Sequence, residues 1–337
     1  MRKTLVATLA ALSAVALTAC STPASPSASG SAGGSAPTEK VKLGIAIPAG
    51  NQTFWTSWIK GAQDEATKLG VDLTIADGKN DAQTMNDQVN TMIVGGVKGI
   101  AVASVDPTAN KPAVQAATDA GLKMITSNRT LDTKYGNNGG ANPVVHTGFN
   151  DLQIGKMQGE LLVKACEGKD PCRIALQIGT LGSTPQVQRS KGLKDTIAST
   201  SSIQIVQEET NDFDPVKAAD LTQTMLLKDK NLTYIVAQSD LEALAAATVL
   251  KEQGLDGKIG VIGIGGSKEG VEAVASGKMY GTVRVSAADD GAASVRTLLS
   301  VVKGESVTTE DVAGVPTVIV PAVQVTKDNA KDNPGDW

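Results

Sequence analysis

From Val41 onward the chain repeats one beat: a short run rich in β-branched residues, then a helix-length segment with apolar residues spaced for one buried face. The first four runs are Val41–Ile47, Val71–Ala76, Gly99–Ala103 and Lys123–Thr126. Amphipathic segments near Thr56–Leu69, Ala82–Gly95 and Ala109–Ala120 lie between them, and Gly70 and Gly121 stand where helices end in a left-handed residue. The beat resumes with Val144–Thr147, Arg173–Ile178, Ile203–Glu208, Thr233–Ala237, Lys258–Ile264 and Tyr280–Val285. Helical segments follow these runs from Asp151, Pro185, Asp214, Asp240, Ser267 and Ala287. Such alternation predicts parallel sheets covered by helices on both faces. The units outnumber the eight that close a barrel, and a loop-forming stretch at Leu131–Pro143 splits them into two groups. The expectation is α/β, with two doubly wound domains.

What precedes this beat is an address and a leash. Met1-Arg2-Lys3 is a positive start, and Thr4 to Leu17 is an apolar stretch shorter than the roughly 20 residues a membrane-spanning helix needs. It ends in Leu17-Thr18-Ala19-Cys20, which resembles the lipobox of bacterial lipoproteins, where the cysteine is lipidated and becomes the first residue. Residues 1–20 are therefore read as a lipoprotein signal peptide and 21–40 as a flexible tether. Ser21 to Pro37 holds only Ser, Ala, Gly, Pro and Thr, and a chain of this length reaches about 20–25 Å. The expected location is extracytoplasmic, lipid-anchored to a bacterial cell membrane through Cys20.

Composition removes several function classes. Apolar residues at 41% and charged ones at 20% describe a soluble globular protein. A net charge of −4 excludes a basic nucleic-acid footprint as the main function. Of the three cysteines, Cys166 and Cys172 remain after Cys20 is assigned to lipid, and a Gly- and Pro-containing loop separates them. Export permits a disulfide, which is the expected pairing. A metal site would need two more ligands, which the lone His146 does not supply. No metal, no cofactor and no catalytic residue are expected.

In open α/β sheets ligands bind outside the carboxyl ends of the strands. Phe54, Trp55, Trp58, Phe149 and Phe213 all fall at or near such ends; the sixth Phe or Trp, Trp337, is the last residue. Asn51, Gln52, Asn128, Arg129, Arg189 and Ser239 flank them. Flat apolar faces among polar groups suit a small polyhydroxylated ligand. Trp58 reads equally well as helix packing.

These residues carry a likeness. Over Val41 to about Val323 the chain resembles the ribose-type periplasmic sugar-binding proteins, the receptors of ABC sugar importers. The likeness rests on Asn51-Gln52-Thr53-Phe54-Trp55, Lys60 through Ala66, Ser127-Asn128-Arg129, Arg189-Ser190-Lys191-Gly192, Asp212-Phe213-Asp214, Ala237-Gln238-Ser239-Asp240 and Val261-Ile262-Gly263-Ile264, in that order. It implies the type I periplasmic binding protein fold, two Rossmann-like domains joined by a hinge of three crossings. It places the first lobe at 41–148 plus 286–312 and the second at 149–285 plus 313–337. It further implies sugar contacts from Asn51, Gln52, Phe54, Trp55, Ser104, Asn128 and Arg129, with Arg189, Phe213, Ser239, Asp240 and Gly265 opposite and Phe149 and Asn150 at a crossing. A monomer that delivers a monosaccharide or polyol to an ABC permease is the expected function.

The departures from the family pattern concern carboxylates. Asn128 stands where the family has Asp, Ser239 where it has Asn, Ile264-Gly265 where it has Phe-Asp, and Val285 where it has Gln. Arg129 and Arg189 then need counter-ions, for which Asp240 or Asp289 are candidates, or the ligand is itself a sugar acid. A receptor for a sugar acid or other small solute that feeds a membrane sensor is the alternative function. An enzyme is disfavoured: Gly263-Ile264-Gly265-Gly266 follows a strand, but Lys268 occupies the third glycine of a dinucleotide fingerprint. A sugar-responsive repressor would need a DNA-binding segment where the lipobox and tether stand.

Overall fold

The β-branched runs become short strands; the central ones, Gly99–Val102 and Tyr234–Ala237, bury every side chain because helices cover both faces of each sheet. The structure, a computed structural model, describes residues 40–131, 145–312 and 314–337. The lipidation cysteine, the tether up to Glu39 and most of the Leu131–Pro143 loop lie outside the described residues.

In chain order the first group is β1 (Lys42–Ile47), α1 (Thr53–Leu69), β2 (Asp72–Asp77), α2 (Ala82–Val94), β3 (Gly99–Val102), α3 (Lys111–Asp119), β4 (Lys123–Ser127) and β5 (His146–Gly148). The second group is α4 (Asp151–Ala165), β6 (Cys172–Ile178), α5 (Thr184–Ile197), β7 (Ile203–Thr210), α6 (Pro215–Lys228), β8 (Tyr234–Ala237), α7 (Asp240–Glu252), β9 (Gly260–Gly265), α8 (Lys268–Ser276) and β10 (Gly281–Val285). There follow α9 (Ala287–Lys303), β11 (Glu310–Val312), β12 (Val315–Ile319) and β13 (Ala322–Thr326).

Two sheets result, ordered β11-β12-β5-β4-β3-β1-β2 and β13-β10-β9-β8-β6-β7. Within each, the first five parallel strands of its lobe follow the same 2-1-3-4-5 order, so each lobe is doubly wound with its own switch point beside its first strand. Each sheet has an apolar layer on either face. In β1, Leu43, Ile45 and Ile47 enter one layer and Ala46 the other, the period-two alternation of a strand.

The helices start and stop for local reasons. Asp81 caps α2 by accepting the Thr84 N–H, Asp214 caps α6 through Val216 and Lys217, and Gly70 ends α1 at φ 67°. The flanking helix of each sheet is held by backbone contact where glycines permit it. A Cβ on Gly291 of α9 would lie 2.0 Å from the Trp58 carbonyl oxygen on α1, and one on Gly155 of α4 would lie 2.2 Å from that of Arg189 on α5. Cys166 and Cys172 form a disulfide across 5.8 Å between alpha carbons, tying the end of α4 to the start of β6.

The chain passes between the sheets after β5, after β10 and after β12. The third passage corrects the expected boundary at residue 312. β12 pairs in parallel with β5 (Thr317 opposite His146), so 315–319 belong to the first sheet, and only β13, antiparallel to β10, joins the second. Strands β11, β12 and β13 were not among the expected runs. His146 lies in the core, with Nδ1 2.9 Å from the Thr126 hydroxyl, and burial lowers its pKa to about 4.

A cleft between the two lobes as the candidate site

A cavity of about 680 Å³ opens where the carboxyl ends of both sheets face each other. Its volume falls within the range of small-molecule sites. On the first lobe the loop after β1 and the start of α1 supply Asn51, Gln52, Thr53, Phe54 and Trp55; Asn80, Val105, Asn128 and Arg129 follow β2, β3 and β4. On the second lobe Thr180 follows β6, Pro185 and Arg189 come from α5, and Asp212, Phe213 and Asp214 follow β7. Ser239, Leu241 and Glu242 stand at the start of α7, and Ile264, Gly265 and Val285 end β9 and β10.

Backbone conformation marks the same surface. Asn80, Asn128, Asp212 and Phe213 line the cleft with φ between 56° and 58°. Asn and Asp tolerate this region, whereas for Phe213 it costs about 1 kcal/mol or more. The Asn211 side chain holds the Phe213 N–H at 3.1 Å. Gly179 makes room for the ring, since a Cβ there would lie 2.0 Å from Phe213 Cζ. The strain is held in place by a built surround.

The arginines differ. Arg189 donates to Asp151 at 2.8 Å and to the Gln238 carbonyl at 2.9 Å. Asp151 is therefore the counter-ion, in place of the expected Asp240 or Asp289; burial still pushes its carboxyl upward against the pull of both arginines. Arg129 has no carboxylate within ion-pair distance among the described residues. Its guanidinium lies 5.9 Å from the centroid of the Trp55 ring, a cation–π contact. Burial, with the like charge of Arg189, lowers its pKa to about 10, so it stays charged at neutral pH. The Asn128 amide donates to Asp290 at 2.7 Å, and Trp58 Nε1 donates to the same oxygen at 3.0 Å. Burial raises Asp290 to about 7.

Ten of the expected site residues meet at this cleft: Asn51, Gln52, Phe54, Trp55, Asn128 and Arg129 on one side, and Arg189, Phe213, Ser239 and Gly265 on the other. Four do not line it. The Ser104 hydroxyl donates to Asn110 inside the first lobe. Phe149 belongs to an apolar core, edge-on to Phe54 at 6.4 Å and a layer behind the wall. Asn150 caps α4 by accepting the Gln153 N–H. Asp240 is fully buried and accepts from the Gly266 and Ser267 N–H groups and the Thr282 hydroxyl. Trp58 is core, 0% exposed, and supports Asn128 through Asp290.

Two of the wall residues outside the expected site set are Trp337 and Glu242. Trp337 packs edge-on against Phe54 at 5.6 Å and donates its indole N–H to the Gly265 carbonyl at 3.3 Å. No local signal pointed to it, because Gly265 lies 72 positions away. Glu242 carried a signal that went unused: Ser239-Asp240-Leu241-Glu242 has the spacing of a capping box.

Two doubly wound lobes, three crossings and a ligand-sized cleft at facing strand ends define the type I periplasmic binding protein fold. The chain belongs to the family of the periplasmic binding protein domain, whose family model matches residues 43–306. It is 30% identical over 268 residues to the ribose import binding protein RbsB of Escherichia coli (strain K12), covering 80% of this chain and 87% of that protein. An ABC transporter solute binding protein from Mycobacterium smegmatis, solved with bound glycerol, superposes with a TM-score of 0.80 at 26% identity, over 88% of this chain and 97% of the other. One from Bacillus halodurans C-125 with bound myo-inositol superposes with a TM-score of 0.79 at 26% identity, over 88% and 98%.

Proposed function

We propose that this protein is an extracytoplasmic receptor that captures a neutral monosaccharide or polyol between its lobes and delivers it, unchanged, to an ABC importer permease. The observation that carries this reading is the cleft wall: Phe54, Trp55, Phe213 and Trp337 alternate with amide, hydroxyl and guanidinium groups from both lobes. Aromatic faces cover C–H bonds, while the polar groups take hydroxyls. A solute that touches both walls only when the lobes are closed shifts the equilibrium toward closure. The relatives that bind ribose, glycerol and myo-inositol support this solute class. On this reading Asn51, Gln52, Asn128, Arg129 and Arg189 hold the solute, and lipid on Cys20 keeps the receptor at the membrane.

A second reading, a sugar acid, is favoured by one observation: Arg129 faces the cleft with no carboxylate partner among the described residues. One experiment separates them. A thermal-shift panel on residues 38–337 would include D-ribose, D-allose, xylitol, myo-inositol, glycerol and D-gluconate. A solute at about 100 times its Kd stabilises the fold by about 2.7 kcal/mol. A shift with a neutral sugar or polyol supports the first reading, and a shift confined to D-gluconate the second. Silence across the panel, or chemical turnover of a bound sugar, refutes both.

A further inference from the structure

The second lobe's wall holds a carboxyl group that the reading above leaves unused. Glu242 lies in the first turn of α7, forms part of the cleft wall and is 1% exposed. Ser239 caps that helix by accepting the Leu241 N–H, and its nearby hydroxyl pulls the Glu242 carboxyl downward without overcoming burial. A capping role accounts for that contact. It leaves Oε2, which is buried and has no hydrogen-bond partner among the described residues.

The neighbouring charges offer Glu242 no relief. On its own helix, Asp240 is already taken by the Gly266 and Ser267 N–H groups and Thr282. From α6 and its cap come Asp214 and Lys217, and Lys217 is paired with Asp212. On the same lobe Arg189 is taken by Asp151, and across the cleft Arg129 stands on the first lobe. Burial, reinforced by Asp240 and Asp214, pushes Glu242 up to about 7. A buried acceptor left unmet in the empty protein is destabilising, and here it stands beside the space a solute would fill.

We propose that Glu242 is the second lobe's acceptor for a hydroxyl or ammonium group of the bound solute, and that a solute carboxylate is excluded from this end of the cleft. This rests on the reading of the cleft as a sugar or polyol site. A donor seated on Oε2 favours the carboxylate, so the proton of the neutral acid leaves to solvent as the solute's hydrogen replaces it. A donor that brings the carboxyl back toward the ordinary carboxylate range makes capture tighter as pH rises, by about tenfold from pH 6 to pH 8.

The test is calorimetry with whichever of D-ribose, D-allose, xylitol, myo-inositol and glycerol binds tightest, at pH 6, 7 and 8. Buffers of different ionisation enthalpy count the protons released. Wild type should release a fraction of a proton at pH 7 and tighten with pH. E242Q, which preserves the capping geometry, should bind about tenfold more weakly at pH 8, with a flat pH profile and no proton release. Asp290 also titrates near neutrality, so loss of the signal in E242Q assigns the proton to Glu242. The empty variant should melt at or above the wild-type temperature, because the burial penalty on a charge is gone. A purely capping carboxyl predicts the reverse: affinity, proton count and pH profile unchanged. That result overturns this inference while leaving the sugar reading intact, whereas wild type silent toward every solute of the panel overturns both.

Discussion

Trp337→Ala removes a side chain that is only 7% exposed and bridges the lobes. Its ring meets Phe54 of α1 at 5.6 Å, its indole N–H reaches the Gly265 carbonyl, and its own carbonyl accepts the Lys268 N–H at 2.8 Å. Gly265, at φ 150°, lets the indole approach, since a Cβ there would lie 2.9 Å from Trp337 Cζ2. A buried indole removes about 150–250 Å² from water, which at about 25 cal/mol per Å² amounts to about 4–6 kcal/mol. Measured truncations of buried aromatics lie near 3–5 kcal/mol. The vacated space joins the cleft, so water fills it and Phe54 relaxes toward it. The expected loss of stability in the empty protein is therefore about 2–3 kcal/mol, read from urea denaturation. The ring is also a wall, and its loss should weaken the tightest solute of the panel by about 1–2 kcal/mol, or about 5- to 30-fold in Kd. Trp337→Phe keeps the face and loses the N–H bond, and should fall between. Lost stability with unchanged Kd would refute the wall role. A stability change below about 1 kcal/mol would refute the brace.

Other consequences follow from buried charge and close packing. Arg189→Ala leaves Asp151 buried without its counter-ion and should destabilise the protein by about 3–5 kcal/mol; adding Asp151→Ala should restore much of the stability, in urea melts, without restoring binding. Gly155→Ala forces α4 away from the Arg189 backbone, and a loss of about 1–3 kcal/mol accompanied by weaker binding is expected. Replacing Cys166 and Cys172 together by Ala should cost about 2 kcal/mol of stability by the loop-entropy relation, with Kd unchanged. Stability of the empty protein should fall between pH 6 and 8. Asp240 (about 6), Glu242 and Asp290 (both about 7) keep protons in the native state that the unfolded chain releases near pH 4, so rising pH favours unfolding until about pH 7. His146 opposes this only between about pH 4 and 6.5, where the unfolded chain holds the extra proton. A stability that rises from pH 6.5 to 8 would contradict the assignment.

The alternating architecture, and the end of each sheet where a ligand would sit, were legible along the chain. Short β-branched runs, amphipathic turns and C′ glycines such as Gly70 act within a few residues of themselves, through backbone bonding and one buried face. That is why Asn51 through Trp55, Asn128-Arg129 and Phe213 were legible as strand-end residues. Tertiary structure decided what no short window carries. β12 joined the first sheet because β5 offered an open edge, a pairing between residues more than 160 positions apart. Trp55 and Trp58 lie on one helix, yet Trp55 faces the cleft, while the approach of α9 at Gly291 encloses Trp58 beside Asp290. Ser104, Phe149 and Asp240 sit at strand ends as expected but turn inward, because Asn110, an apolar core and the Gly266–Ser267 amides claim them. Trp337 enters the site for the complementary reason: its contacts with Phe54 and Gly265 span separations over which local propensity has no influence.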